Sequence, residues 1–115
     1  MRRIILLVLL LSLAACTAER RKSDAELNLT PQQTAGRHLY DTYCDRCHAP
    51  YSSGGRQGPS LQHVFGKSYL PVSGLPANND RVSEIIRTGR AKMPAYGNIL
   101  SDQDIQDLLA YLHTL

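Results

Sequence analysis

The spacing of the cysteines is the sequence feature that most constrains this chain. Cys44 and Cys47 are separated by two residues, and His48 follows directly in the segment CDRCH. The 115-residue chain has three cysteines, so two of the three lie in this segment. Two thiols and an imidazole at this spacing are typical of three kinds of site: a redox-active dithiol, half of a zinc site, and the attachment point of a c-type haem.

The remaining sequence favours the third kind of site. A thioredoxin-like dithiol requires a strand-helix-strand framework, and the chain shows no alternating strand pattern. A structural zinc site needs four ligands, usually in two close pairs, whereas the other histidines are scattered singly. Haem attachment needs only two thiols on one helical turn and the imidazole that follows. The sequence therefore predicts one covalent haem c, with Cys44, Cys47 and His48 binding it and His48 ligating the iron.

The first 15 residues are typical of an export signal. Arg2 and Arg3 precede a ten-residue run, Ile4 to Leu13, that is apolar except for one serine and too short for a membrane span of about 20 residues. The segment LAAC, which ends at Cys16, resembles the bacterial lipobox. We therefore predict a lipoprotein signal peptide at residues 1–15 and lipid attachment at Cys16.

The segment that follows Cys16 is polar and mixed in charge. Residues 16–29 have no clear helical period, so the sequence predicts a lipid-anchored, flexible tether. An exported, lipidated chain lies on the periplasmic side of a bacterial membrane. Thr17 and Ala18 lack the aspartate that resembles an inner-membrane retention signal, which slightly favours the outer membrane.

Residues 30–115 are predicted to form one small all-α domain. Thr30, Pro31 and Gln33 are typical of a helix start, and this helix runs into the CDRCH segment. A second helix is expected to begin with Asn79 as its cap and to end near Gly89, and a third to be capped by Ser101. Between the first two helices, residues 49–78 are rich in Gly, Pro, Ser and Asn, and a loop of this length is expected to wrap a cofactor.

The charge of the domain argues against nucleic acid as a partner. The whole chain has a formal charge of +3, but from Thr30 onward eight basic residues stand against seven acidic ones. A nucleic-acid-binding domain shows a strong basic patch or stripe, and this sequence shows neither.

The region from Thr30 to Leu115 resembles a class I monohaem cytochrome c, in bacterial lipoprotein form. The resemblance rests on CDRCH and on three weaker segments in matching order: GPSL at 58–61, KMPAY at 92–96 and IQDLLAYLHTL at the C-terminus. It implies an all-α class I cytochrome c fold, with helices packed around a covalently bound haem. It also implies that a first-helix pair, Gly36 and Tyr40, crosses the last helix near Leu108 and Tyr111.

The resemblance also implies roles for single residues in the haem site. Met93, followed by proline, would supply the sixth iron ligand, with His63 as the rival candidate. The carbonyl of Pro59 would accept a hydrogen bond from the imidazole of His48, and Leu61 would pack on the haem face. Arg56 or Tyr69 would pair with a haem propionate.

The function that follows is one-electron transport without bond-making chemistry. His/Met ligation fills both axial positions, so no site for a substrate remains. The expected partners are redox proteins, a donor and an acceptor, that dock at the exposed haem edge. Lys67, Arg90 and Lys92 either give that face positive charge or are scattered charges that serve solubility. Two alternatives stay open: a cytochrome subunit of a periplasmic dehydrogenase complex, and a haem sensor or enzyme with a labile Met93.

Overall fold

The computed structural model describes residues 21–115, so the predicted signal peptide at residues 1–15 and Cys16 lie outside the described residues. Three α-helices and one short 3₁₀ helix follow in chain order: α1 (Pro31–Tyr43), the 3₁₀ helix (Val64–Gly66), α2 (Asn79–Thr88) and α3 (Asp102–Leu112). Residues 21–115 contain two isolated β-bridges and no strand. The predicted all-α fold is confirmed. No helix in this part of the chain is both long and apolar enough to cross a bilayer.

The helix starts follow from side chains that satisfy the first free backbone N–H groups. Thr30 and Gln33 form a capping box at α1, as predicted, and Ser101 caps α3 together with Asp104. The cap of α2 is Asn78 and not Asn79, because the Asn78 side chain accepts a hydrogen bond from the N–H of Arg81.

Helices α1 and α3 cross in direct backbone contact. A Cβ atom on Gly36 would overlap the carbonyl of Asp107 and reach the backbone nitrogen of Leu108. One turn further along, the rings of Tyr40 and Tyr111 meet edge to face, with centroids 5.4 Å apart and planes at 63°. The predicted crossing of the first and last helices is confirmed, and the missing side chain of glycine is what permits it.

The hydrophobic core lies mainly along α3 and the helices that it contacts. The long segment 49–78 contributes few buried apolar side chains, which are Ala49, Pro50 and Val64. A domain of this size with so few large core residues depends on a bound group for much of its packing. The segment 49–78 therefore has the expected character of a loop that wraps a cofactor.

Residues 21–29 differ from the flexible tether that the sequence predicted for residues 16–29. They form hydrogen-bonded turns, for example from the N–H of Leu27 to the carbonyl of Ser23 at 3.1 Å. Asp24 pairs at 2.5 Å with the guanidinium of Arg37, which also donates to the carbonyl of Lys22. Arg37 is only 7% exposed, and a buried cation requires such partners. The sequence pattern missed this because the partners of Arg37 lie in a polar segment without period.

Candidate functional site

The two neighbouring cysteines lie on a single turn at the end of α1. The N–H groups of Cys47 and His48 both donate to the carbonyl of Cys44, at 3.0 and 2.9 Å, so the chain continues to coil after α1 ends. Both thiols are free and half-buried. This turn, residues 44–48, is called the attachment turn below. It presents two thiols and one imidazole from five consecutive residues.

The environment of Cys44 opposes the dithiol interpretation. Burial raises the pKa of its thiol to about 12, and the negative charges of Cys47, Asp41 and Asp45 add to this shift. The thiolate is the reactive form in thiol–disulfide exchange, so a redox-active cysteine has a lowered pKa. The pKa of the Cys44 thiol is raised instead, which is typical of an unreactive buried cysteine.

The imidazole of His48 is held in one tautomer. Its Nδ1 lies 2.7 Å from the carbonyl oxygen of Pro59, and because a carbonyl only accepts, Nδ1 carries the proton and donates. The other ring nitrogen, Nε2, takes part in no hydrogen bond with the described residues. His48 is only 9% exposed, so its ring lies largely away from water. The contact predicted for Pro59 is present.

Gly58 is a site residue that the sequence reasoning did not single out. A Cβ atom built on it would lie 2.5 Å from Cε1 and 2.8 Å from Nδ1 of the His48 ring. Its N–H also donates to the carbonyl of Cys47 at 2.8 Å. The backbone at Gly58 thus lies so close to the imidazole that it leaves no space for a side chain between them. The position of Gly58 directly before Pro59 could have identified it in the sequence. A chain that brings the Pro59 carbonyl to the His48 ring also brings Gly58 close to that ring.

Buried tyrosines support the attachment turn from the other side. The hydroxyl of Tyr40, which is fully buried, donates to the carbonyl of His48 at 2.7 Å. Tyr111 packs on the Tyr40 ring, and its hydroxyl lies 2.9 Å from that of Tyr51. Burial raises the pKa of both Tyr40 and Tyr111 far above the ordinary value, so both remain neutral hydroxyls. The carbonyl and the ring of His48 are therefore each fixed by a separate hydrogen bond.

Met93 lies in a tightly folded loop between α2 and α3. Its backbone pairs with Arg90 in both directions, at 2.9 and 3.1 Å, and a Cβ atom on Gly89 would come within 2.6 Å of its carbonyl oxygen. The N–H of Tyr96 donates to Ile86 at 2.9 Å and closes the loop. The Met93 side chain is half-buried and packs against the hydrophobic core.

The other predicted site residues fall in three different environments. Leu61 is half-buried, packs against the core and ties the wrapping loop to Ala49 by a backbone hydrogen bond of 2.9 Å. His63 is exposed beside the C-terminus, with its N–H 2.8 Å from the carbonyl of Leu115. Tyr69 is 64% exposed, and Lys67 is exposed, as are Arg90 and Lys92.

Two arginines from distant segments converge on Asp45 in the attachment turn. Arg21 lies 2.7 Å from its carboxylate, and Arg56 lies 3.2 Å from it and also donates to its backbone carbonyl. The propionate role expected for Arg56 competes with this ion pair. Burial alone would lower the pKa of Arg21, but attraction to Asp41 and Asp45 outweighs burial, so its pKa is raised.

The residues at the attachment turn fit a c-type haem. They provide two free thiols on one turn, an imidazole whose Nε2 has no hydrogen-bond partner among the described residues, and a close approach of the Gly58 backbone to that ring. Within residues 21–115, no group of three or more His, Cys, Asp or Glu side chains is placed to hold a metal ion by itself.

Comparison with known proteins points in the same direction. Residues 31–112 match the family described as cytochrome c oxidase, cbb3-type, subunit III. The chain is 34% identical to a "cytochrome c6-like" protein of Nostoc sp. (strain PCC 7120 / SAG 25.82 / UTEX 2576), over 73% of this chain and 76% of that protein. It is 30% identical to a cytochrome c6 of Bumilleriopsis filiformis, over 67% of this chain and 84% of the relative. A cytochrome c6 of Rippkaea orientalis is 26% identical, over 73% and 71%.

Proposed function

The chain belongs to the class I cytochrome c family as a monohaem member, and from this premise we propose that His48 and Met93 ligate its haem iron and that Cys16 anchors it by lipid to a bacterial membrane. Membership of the family establishes the general function. The protein is an electron carrier and not an enzyme, its cofactor is a covalently bound c-type haem, and its partners are redox proteins. When bound, the haem supplies a one-electron Fe(II)/Fe(III) couple.

The hydrogen bond from His48 to the carbonyl of Pro59 carries the proposal for the first ligand. A metal-bound histidine almost always donates its other ring nitrogen to such an acceptor, which fixes the ring and raises its basicity. The 2.7 Å contact between His48 and Pro59 has the geometry for both effects, and the ring lies close against the backbone at Gly58. Cys44 and Cys47 would hold the porphyrin on the same turn through thioether bonds.

The loop around Met93 supports this residue as the second ligand. A weakly basic thioether favours Fe(II) and raises the reduction potential, as suits an electron carrier. A ligand of this kind has to be held by the fold, and the Arg90–Met93 backbone pair and the close approach of Gly89 provide that constraint. His63, the rival ligand, is exposed beside the C-terminus.

The place of action that we propose rests on the sequence of the N-terminus. The signal peptide at residues 1–15 would direct export, and lipid on Cys16 would hold the mature protein on the periplasmic face of a membrane, with the outer membrane favoured by Thr17 and Ala18. Exposed Lys67, Arg90 and Lys92 would give the docking face positive charge for brief redox encounters with small interfaces.

The experiment that tests the ligands is the optical spectrum of the mature protein, oxidised and reduced, with and without CO. We expect narrow low-spin bands, a long-wavelength sulfur-to-iron band and no response to CO. Met93→Ala should lose the sulfur band and bind CO, whereas His63→Ala, the matched control, should keep the wild-type spectrum. Ready CO binding by the wild type would contradict a closed His/Met site and point to a sensor or enzyme with a labile ligand.

The lipid anchor is tested separately, by the mass of the mature protein and its partition into membranes. We expect a mass that corresponds to cleavage before Cys16 plus attached lipid, and release from membranes in Cys16→Ser. A soluble wild type with an unmodified Cys16 would contradict the anchor and leave the ligand proposal intact.

A further inference from the structure

The segment between the proposed lipid and α1 is for the most part fixed to the domain. Residues 21–29, called the strap below, form hydrogen-bonded turns, and Leu29 packs against the hydrophobic core. The strap therefore has the contacts of folded structure and not of a linker.

The contact with Arg37 shows why the strap stays docked. The Arg37 side chain lies on α1 and is almost fully buried, and its partners at the strap are the carboxylate of Asp24 and the carbonyl of Lys22. Its remaining acidic partner, Asp41, lies 3.9 Å away. Undocking of the strap would cost the guanidinium both of these partners, and an almost fully buried cation requires them.

The first residue of the strap binds the attachment turn. Arg21 pairs with Asp45, which lies between the two haem-binding cysteines, and with Asp41 on α1. Its guanidinium carbon also lies 5.7 Å from the ring centre of Tyr51, within the range of a cation–π contact. The strap thus begins beside the cofactor site.

These contacts fix how far the domain can move from a lipid at Cys16. With the strap docked, five Cα–Cα steps separate Cys16 from Arg21, and even a fully extended chain spans only about 18 Å over that distance. If all residues up to Thr30 were a free tether, the limit would be about 50 Å. The docked strap removes most of the reach that the sequence alone suggests.

We infer that the strap holds the face of the domain that carries the attachment turn toward the lipid surface, so that the electron partners are proteins held in the same membrane. This inference rests on the proposed lipid at Cys16. Because Arg21 is held to Asp41 and Asp45 and lies only five residues after Cys16, the face around Asp41, Asp45 and Tyr51 is the one that faces the bilayer. The carrier then serves partners at membrane height and not soluble proteins tens of ångströms away.

Two insertions of equal length test the inference. Twelve Gly/Ser residues are placed between Arg20 and Arg21 in one variant, and between Leu29 and Thr30 in the other. The lipidated holoproteins are bound to vesicles of phosphatidylethanolamine and phosphatidylglycerol that contain a nickel-chelating lipid. A nitroxide on Thr42→Cys, in the exposed last turn of α1, reports its distance from the headgroups through enhanced relaxation. Lipid and haem occupy the native cysteines, so this label is unique.

A docked strap predicts unequal results. The insertion before Arg21 should reduce the relaxation enhancement several-fold, whereas the insertion after Leu29 should leave it close to that of the label in the uninserted chain. Equal reductions by both insertions in a lipidated protein would overturn the inference alone. A protein without lipid would overturn both the anchor and the inference, and the mass of the mature chain distinguishes the two cases.

Amide exchange provides a second readout in case the insertion after Leu29 disturbs folding. The N–H groups of Leu27, Asn28 and Leu29 donate to backbone carbonyls within the strap, so they should be protected in the uninserted holoprotein. Protection should fall in Asp24→Ala but not in Lys22→Ala, which removes an exposed charge from the same segment. Unprotected amides in the uninserted protein would overturn the inference.

Discussion

At the scale of single residues, the ring of His48 is fixed by contacts on several sides. Pro59 accepts from Nδ1, Tyr40 donates to the backbone carbonyl, and Gly58 covers the ring. None of these three contacts uses a charged group. If His48 ligates the haem iron as proposed, these contacts would hold its Nε2 in one position through repeated changes of iron charge.

Gly58→Ala tests the steric part of this arrangement. The added methyl group would come within 2.5 Å of the His48 ring, so either the ring or the loop has to move. We expect a loss of about 1–3 kcal/mol in the free energy of unfolding of the holoprotein and a weakened low-spin spectrum. Gly54→Ala is the matched control, because its Cβ meets no atom within 4 Å. Equal stability and equal spectra of Gly58→Ala and Gly54→Ala would contradict the close contact between Gly58 and the His48 ring.

Sequence reasoning identified the proposed haem-binding residues more readily than the residues whose contacts hold the fold around them. Cys44, Cys47 and His48 follow from spacing, and Pro59 from resemblance, whereas Gly58 acts through a close approach of backbone that no side-chain pattern announces. Arg37 was missed for a related reason. Its burial depends on residues 22–24, and a pairing between a helix and an aperiodic segment is not visible in the periodicity of either.

At the scale of elements, caps and close crossings explain most of the helical framework. The helix bounds were predictable because the capping residues satisfy local N–H groups, and the error at α2 amounts to one residue, Asn78 in place of Asn79. The path of residues 49–78 was not predictable in detail, since its few backbone contacts depend on what the loop surrounds.

The crossing of α1 and α3 gives a prediction at this scale. In Gly36→Ala, helix propensity improves by up to about 1 kcal/mol, but the new methyl overlaps the backbone of Asp107. Because backbone cannot rotate away as a side chain can, we expect a net loss of about 2 kcal/mol or more in denaturant unfolding. Gly66→Ala, whose Cβ meets only the His63 Cβ at 3.7 Å, should lose far less. A neutral Gly36→Ala would show that the helices can separate freely.

The capping box of α3 gives a pH-dependent prediction. Hydrogen bonds from the Ser101 side chain and then its backbone lower the pKa of Asp104 below the ordinary 3.8. A lowered pKa means that the stabilisation is present above the unfolded value and is lost as the pH falls through the folded value. At neutral pH the wild type should therefore have a higher melting temperature than Asp104→Asn. This difference in melting temperature should shrink below pH 3.8. A difference constant down to pH 2 would contradict this assignment.

At the scale of the whole molecule, the cofactor is expected to be part of the core. The segment 49–78 has only three buried apolar residues of its own and is held by scattered backbone contacts. With so little core of its own, this segment is expected to need a bound group for stable packing. The fold and the electron-carrier function thus depend on the same covalent group.

The Cys44→Ala, Cys47→Ala double variant, prepared without haem, tests this dependence. We expect it to lack a cooperative thermal transition and to show little helical circular dichroism, because the wrapping loop has nothing to enclose. The wild-type holoprotein, with both thioether bonds, is the reference. A cooperative melt of the haem-free variant would show that α1 and α3 form a sufficient core by themselves.

The contacts of the buried Arg37 guanidinium also limit how far the N-terminus can be shortened without loss of stability. The helix pattern invites a shortened version that begins at Thr30, which would retain all three helices and the complete attachment turn. Such a truncation would remove Asp24 and the Lys22 carbonyl, the two acceptors that the strap gives to Arg37, and the contact of Leu29 with the core. A fragment that keeps residues 21–29 should therefore be more stable than one that begins at Thr30, and a protease that trims the chain should spare this segment.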